Sequence, residues 1–230
     1  MASREAQTIP AEGTACLNEG RRLPRSFYGR RAFEVAPDLL GRVLVRGLGQ
    51  GTHLSARIVE TEAYEQDDPA SHAFRGETPR NAVMFSDPGR LYVYFTYGKH
   101  FCMNVVSGRS GEGAAVLLRA AEPLVGIAEM RARRGRTSLR ELCSGPARLC
   151  QAFGVDRSFD GSDLVREGDM WIAEGAPVAS SAIAVGRRIG IRVGRELPWR
   201  FSVKDDPFVS KGRPSPPLAS RSARKGLSTR

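Results

Sequence analysis

The stretch RLYVYFTYGKHFCMNVVSG, residues 90–108, constrains the fold of this chain more than any other. Two runs of aromatic and β-branched residues flank Gly98-Lys99. Such side chains suit a pleated, half-buried surface, and a glycine at the join supplies the backbone freedom of a tight turn. The stretch therefore reads as an antiparallel hairpin. RVLVRGL (42–48), HLSARIVETEAY (53–64) and AAVLLRAAEPL (114–124) read as further strands, and so do DMWIAEG, SAIAVGRRIGI and PWRFSV. Helix punctuation is confined to three places: 24–40, closed by Gly41; 125–135, ended by Gly135; and 144–154, with Ser144 as N-cap candidate, an early Pro146 and a closing Gly154. Most strands follow one another without a helix between them. The expected fold is α+β, a single domain around a largely antiparallel curved β-sheet with peripheral helices and a protruding β-hairpin. The weakly periodic stretch 65–89 is too long for an ordinary connection and is expected to be functional or mobile.

Charge divides the chain further. Lys and Arg number 35 against 25 Asp and Glu, a net of +10. Residues 1–23 balance to zero and read as a flexible leader. Residues 211–230 carry six basic side chains and no acid, so this Pro/Ser-rich segment reads as a disordered basic tail. The body, 24–210, is left with +4, only mildly basic. A solvated tail with no specific role is the plainer reading; the alternative is non-specific duplex affinity through phosphate neutralisation. No run of 18 apolar residues exists, so no membrane span is expected, and MASREAQTIP has no signal-peptide apolar region. Four cysteines without a CxxC and three histidines make a metal site unexpected. Reduced thiols and no cofactor are expected.

Several residues stand out chemically. Glu60 and Glu62 lie two apart on a strand and share a face. Two carboxylates on an apolar strand are costly unless paired or functional. Either both pair with arginines, or one is a general base tuned by burial. Tyr92 and Tyr94 share one face of the hairpin's first strand, which suits sheet packing or base stacking. Tyr97 sits beside the turn, where a core role is hard to arrange; an aromatic there has the shape of a wedge that unstacks a base step. Asn104 can read a base edge or bond to backbone, and His72 is a lone loop histidine. Arg119 interrupts VLLRAA and needs an anionic partner, for which the glutamate pair is the candidate.

The blocks RIVETEAY, TPRN, LYVYFTYG, FCMNV, VLLRA and ELCSGPARLCQ occur in the order found in the mammalian-type alkyladenine (3-methyladenine) DNA glycosylases. The chain resembles that family over roughly 25–210. The resemblance implies a DNA glycosylase domain over 24–210 that flips alkylated or deaminated purines, 3-methyladenine and hypoxanthine among them, out of double-stranded DNA. It implies hydrolysis of the N-glycosidic bond with an activated water, leaving an abasic site for base excision repair. On this likeness Glu62 matches the general base, Arg119 helps hold the water, and the Ile189 backbone carbonyl matches another of its holders. Tyr64 and Tyr94 match the stacking faces for the extruded base, and His72 contacts it. Asn104 crowds the guanine amino group, and Tyr97 matches the intercalating wedge. Glu60 inherits no catalytic role. No lysine enters the catalytic set, which implies a monofunctional enzyme. Lys99 and His100 replace larger apolar or aromatic residues beside the wedge. A monomer is the default, cytoplasmic and nucleoid-associated in a bacterium and nuclear in a eukaryote.

Two other classes compete. A non-catalytic nucleic-acid-binding module has no use for a buried carboxylate beside a phosphodiester. A hydrolase of free nucleosides has no use for a wedge-bearing hairpin.

Overall fold

A computed structural model describes residues 20–166 and 168–212. The expected leader and tail lie outside these residues apart from 20–23 and 211–212. Leu23 donates its N–H to the Ile172 carbonyl at 2.9 Å, and the Glu174 N–H reaches the Arg21 carbonyl at 2.8 Å, so the described body begins slightly before residue 24.

All strand pairings are antiparallel. Strands β1 (Val43–Gly49), β2 (Thr52–Tyr64), β3 (Leu91–Thr96), β4 (His100–Val106), β5 (Ala115–Val125) and β6 (Met170–Ala173) lie in the order β3-β4-β5-β2-β1-β6. Strand β7 (Ile183–Gly186) pairs with β8 (Arg200–Val203), which joins β2. The stretch RRIGI, expected within a strand, is irregular chain beyond β7. Short helices α1 (Arg25–Tyr28), α2 (Ala32–Asp38), α3 (Ile127–Arg134) and α4 (Pro146–Phe153) complete the fold, with four 3₁₀ turns among the described residues. Gly135 and Gly154 close α3 and α4 in the left-handed conformation, as their place in the sequence suggests. Ser144 does not cap α4: Gly145 holds the N-cap position, with Pro146 next.

The main core lies on one face of the sheet. Val35, Leu39, Leu149 and Phe153 from the helices meet Leu54, Ala56, Ile58, Leu91, Val93, Met103, Val105, Val116 and Leu118. Along β2 the buried apolar positions are even up to Ile58. Continued alternation would drive Glu60 and Glu62 into this core, at several kcal/mol per unpaired ion. A bulge prevents it. Ile58 pairs with Ala121 and Glu60 with Ala120, so Val59 is the extra residue. Beyond it the facing reverses: Ala63 joins the core and Thr61 donates its hydroxyl to the Ala36 carbonyl at 2.8 Å. Glu60, Glu62 and Tyr64 are thereby turned to the opposite face. A matching irregularity on β5 leaves Arg119 between the paired Leu118 and Ala120, beside both carboxylates.

Candidate active site

The opposite face of the sheet carries a cavity of about 480 Å³. It is walled by Tyr64 from β2, Tyr92 and Tyr94 from β3, Cys102 and Asn104 from β4, and Arg119 from β5. The loops supply His72 on one side and Ile189 on the other, and Tyr97 stands at the rim. Seven of the eight residues to which the resemblance gives a site role thus line one cavity. The eighth, Glu62, is 0% exposed and lies behind its floor.

Three of the wall residues hold Glu62. Its Oε1 accepts the Ile189 N–H at 2.7 Å, and its Oε2 accepts the Tyr64 hydroxyl at 2.9 Å and Arg119 Nη1 at 3.2 Å. An ionised carboxylate has about four acceptor sites, so one remains. Burial pushes the Glu62 carboxyl above the ordinary carboxylate value, against the pull of the Arg119 guanidinium. Glu60 experiences burial too, but Arg119 and Arg200 outweigh it and hold its carboxyl below the usual value. Arg119 Nε reaches Glu60 Oε1 at 2.9 Å, Arg200 Nε reaches the same oxygen at 2.6 Å, and the Ser210 N–H takes Oε2 at 2.8 Å. Both glutamates pair with Arg119, as the first of the two readings expects, and they differ in that burial raises the carboxyl of Glu62 alone. Each carboxylate accepts three bonds, but Glu60 faces two guanidiniums and Glu62 one, and all three partners of Glu62 line the cavity. Ile189 enters through its N–H, a contact that the resemblance does not supply.

The aromatic walls are fixed by their own contacts. Tyr92 and Tyr94 stack at 5.7 Å with planes 28° apart, and His72 meets Tyr94 edge-on at 4.5 Å. His72 Nδ1 lies 3.0 Å from the Tyr92 hydroxyl. Burial, reinforced by Arg80, pushes the imidazole pKa down, so the ring is neutral at pH 7. Burial pushes the Tyr92 hydroxyl up to about 12, which keeps it protonated and able to donate to Nδ1. The contact accommodates two tautomers: the hydroxyl donates to Nδ1 with the ring hydrogen on Nε2, or Nδ1–H donates to the hydroxyl oxygen. Asn104 Nδ2 donates to the Tyr92 carbonyl at 3.1 Å, which sets the orientation of its amide.

The long loop 65–89 is tied down. Asn81, in the TPRN block, donates to the His72 carbonyl at 2.8 Å and accepts the Thr78 N–H at 2.6 Å. Asp68 anchors the loop to Arg188, a residue the sequence reading passed over. Arg188 is fully buried and forms a two-pronged pair with Asp68 through Nη1 and Nη2. It also donates to the Ala63 carbonyl at 2.9 Å and the Gly194 carbonyl at 3.1 Å. Its guanidinium lies over the Tyr64 ring, 4.6 Å from the centroid. Arg188 thus backs one wall residue and immediately precedes the N–H that binds Glu62. A Cβ on Gly194, where φ is +60°, would sit 2.7 Å from Asp68 Oδ1, so this anchor requires glycine there. The only signal in the sequence was an arginine pair beside Ile189, which does not tell which member is buried.

Tyr97 is 84% exposed, next to Phe95 at 45%. The hairpin turn centres on Tyr97-Gly98, one residue earlier than the sequence suggests, with φ of 53° and 64° and the Lys99 N–H on the Thr96 carbonyl at 3.2 Å. Both central residues are left-handed, as in a type I′ turn, where Asn, Asp or Gly is usual. An aromatic in that conformation costs about 1–2 kcal/mol and gains no burial. Strain of this kind points to a functional position.

Among the described residues no helix is long and apolar enough to cross a membrane, and no group of three or more His, Cys, Asp or Glu is placed to hold a metal ion. Cys102, Cys143 and Cys150 are unpaired thiols, and Cys16 lies outside the described residues.

Comparison with known proteins identifies the family. The model of the methylpurine-DNA glycosylase (MPG) family matches residues 26–207. A protein of Carboxydothermus hydrogenoformans named "Putative 3-methyladenine DNA glycosylase" is 52% identical over 189 residues, covering 82% of this chain and 98% of its own. Proteins of the same name from Burkholderia orbicola and Chlorobaculum parvum are 52% and 45% identical, covering 87% and 89% of this chain and 97% and 98% of theirs.

Proposed function

The chain belongs to the methylpurine-DNA glycosylase (MPG) family and is by that membership a DNA-3-methyladenine glycosylase of base excision repair, and on this premise we propose how its residues carry the reaction. The observation that carries the reading is the buried Glu62, ringed by Arg119, Tyr64 and the Ile189 N–H at the floor of an aromatic cavity. A purine inside a duplex is out of reach, so the lesion is flipped out, at about a few kcal/mol. Tyr97 fills the space it leaves. The extruded base slides between the aromatic walls, where stacking returns about 1–3 kcal/mol per base. An alkylated purine is cationic and binds tyrosine faces more strongly for that reason. In the tautomer with its hydrogen on Nε2, His72 donates to a ring or exocyclic acceptor, and the fixed Asn104 amide crowds the 2-amino group of guanine.

Water at the cavity floor then attacks C1′ of the sugar. Glu62 takes a proton from it at its unused acceptor site, and Arg119 and Ile189 keep that carboxylate oriented. The C1′–N bond breaks with its electron pair going to the base. A cationic base leaves neutral, so no general acid is needed. Deaminated purines such as hypoxanthine are also substrates in this reading: the neutral base leaves as an anion, a donor on His72 at the 6-oxo group stabilises that charge, and the base then takes a proton from water. Among the described residues no lysine lines the cavity, so in this reading the product is an abasic site with an intact backbone.

Tyr97→Asn tests the wedge. Asparagine tolerates the left-handed conformation, so this variant is expected to gain about 1 kcal/mol of stability, roughly 2–4 °C in Tm. It is expected to bind lesion-containing duplex about tenfold or more weakly, a loss of roughly 1.4 kcal/mol. Thermal melting and fluorescence anisotropy read the two effects, and unchanged DNA affinity would sink the wedge assignment.

The pH profile tests Glu62. Its reactive form is ionised and its folded pKa lies above the ordinary 4.5, so base release falls as pH drops through a value above 4.5. The acid limb of the single-turnover rate against pH is the measurement. An inflection at or below 4.5 counts against Glu62 as the base.

A further inference from the structure

Glu60 is fully buried, lies two residues from the base and takes no step in the reaction. It lines no part of the aromatic cavity. Stability does not account for it, because well-packed apolar side chains often match or better a buried ion pair. Its partners reach it from three directions. Arg119 Nε on β5 donates to Oε1 at 2.9 Å, and Arg200 Nε on β8 donates to the same oxygen at 2.6 Å. From the chain beyond β8, the Ser210 N–H donates to Oε2 at 2.8 Å. That last segment is itself fastened. Asp206 accepts from Arg57 Nη2 at 2.7 Å, and Phe208 packs with Ala120 and with Val59, the bulge residue. Glu60 is therefore an anion fixed in a rigid frame.

The consequence falls on Arg119. Its Nη1 reaches Glu62 Oε2 at 3.2 Å. Held there alone, a planar guanidinium can still turn about its Cδ–Nε bond. A second bond at Nε, to an anion that cannot move, sets the plane of the group. The charges also balance, Glu60 and Glu62 against Arg119 and Arg200. The other titratable groups facing them are Tyr64, Tyr94 and Cys102, all raised by burial and neutral at pH 7. Arg188, over the Tyr64 ring, is paired with Asp68.

We propose that Glu60 is a positioning residue for base release: anchored by Arg200 and the Ser210 N–H, it holds the Arg119 guanidinium in the plane that binds Glu62 and shares its positive charge. The inference rests on the reading of Glu62 as the base.

The test compares full-length wild type, Glu60→Gln and Arg200→Met by single-turnover base release from methylated DNA across a pH series. Glu60→Gln removes an anion beside Glu62 and leaves Arg119 acting on Glu62 alone, so the acid inflection is expected to move to lower pH. The plateau rate is expected to fall about 10–100-fold, the effect of misplacing a reacting group by about 1 Å. Arg200→Met removes a cation and keeps the Arg119–Glu60 bond, so the inflection is expected to move to higher pH with a smaller loss of rate. Binding to lesion-containing duplex is expected to stay within a few-fold in both, since neither residue lines the cavity. Opposite shifts in the two variants support the proposal. Near-normal release by a folded Glu60→Gln variant overturns it. So does a loss of rate with the inflection unmoved in both variants, which is what a merely structural role gives. If Glu60→Gln does not fold, the Arg200→Met inflection decides: an upward shift supports the proposal and an unmoved one overturns it. Release that persists in Glu62→Gln strikes the base reading itself, whatever the other variants do, so the two can fail independently.

Discussion

Glu62→Gln is expected to lower single-turnover base release by about 10²–10⁴-fold, the range a positioned general base supplies. Binding to lesion-containing duplex is expected to stay within a few-fold of wild type, because Glu62 lies behind the cavity floor and presents no surface to DNA. The amide oxygen of glutamine still accepts the Ile189 N–H. Its other end turns a donor toward the Tyr64 hydroxyl and Arg119, where the carboxylate accepts from both. Arg119 keeps its bond to Glu60, so the guanidinium is not stranded. A stability loss of about 1–3 kcal/mol, the cost of an unmade buried hydrogen bond, should show in denaturant titration. Near-normal base release from a folded variant would remove Glu62 from the base role.

The second large effect is expected at a residue that touches neither water nor DNA. Arg188→Met leaves the buried Asp68 carboxylate without its cation. Breaking one side of a buried pair costs about 3–5 kcal/mol. For a chain of this size that is roughly 6–20 °C in Tm. Base release is expected to fall as well, because Arg188 backs the Tyr64 ring and fixes the chain that aims the Ile189 N–H at Glu62. The double variant Arg188→Met/Asp68→Leu is expected to recover part of the stability but not the activity. Neither residue is then charged, yet the loop and the 187–194 segment are no longer tied together. Full recovery of activity in the double variant would show that Arg188 has no positioning role.

Much of the fold is legible in local sequence. The runs that became β1 to β5 have the alternation or β-branched richness of strands, and the parity of Tyr92 and Tyr94 against Leu91 and Val93 puts the tyrosines together. Gly135 and Gly154 end their helices as expected. Misreadings came where a local rule was broken for a distant partner. Ser144 has the chemistry of a cap but is held by Arg148. The turn slid to Tyr97-Gly98, because residue preference does not favour an aromatic at a left-handed position. The stretch RRIGI reads as a strand because strand alternation and an irregular segment with one buried arginine look alike until the partner is known.

The sequence by itself determined an antiparallel α+β domain, the set of chemistry-bearing residues and, through the order of its blocks, the family they resemble. Those properties are local, carried by periodicity, turn chemistry and motif. Only the tertiary structure decided which way the glutamates face and what holds them. A period of two cannot show where an extra residue reverses it, and the bulge at Val59 exists because β5 pairs across it. The partners of Glu62 come from Tyr64 two residues away, Arg119 on the neighbouring strand and Ile189 far along the chain. The Asp68–Arg188 pair likewise joins positions 120 residues apart. Buried charges are stabilised only by partners in space, so their roles are settled when the chain closes around them.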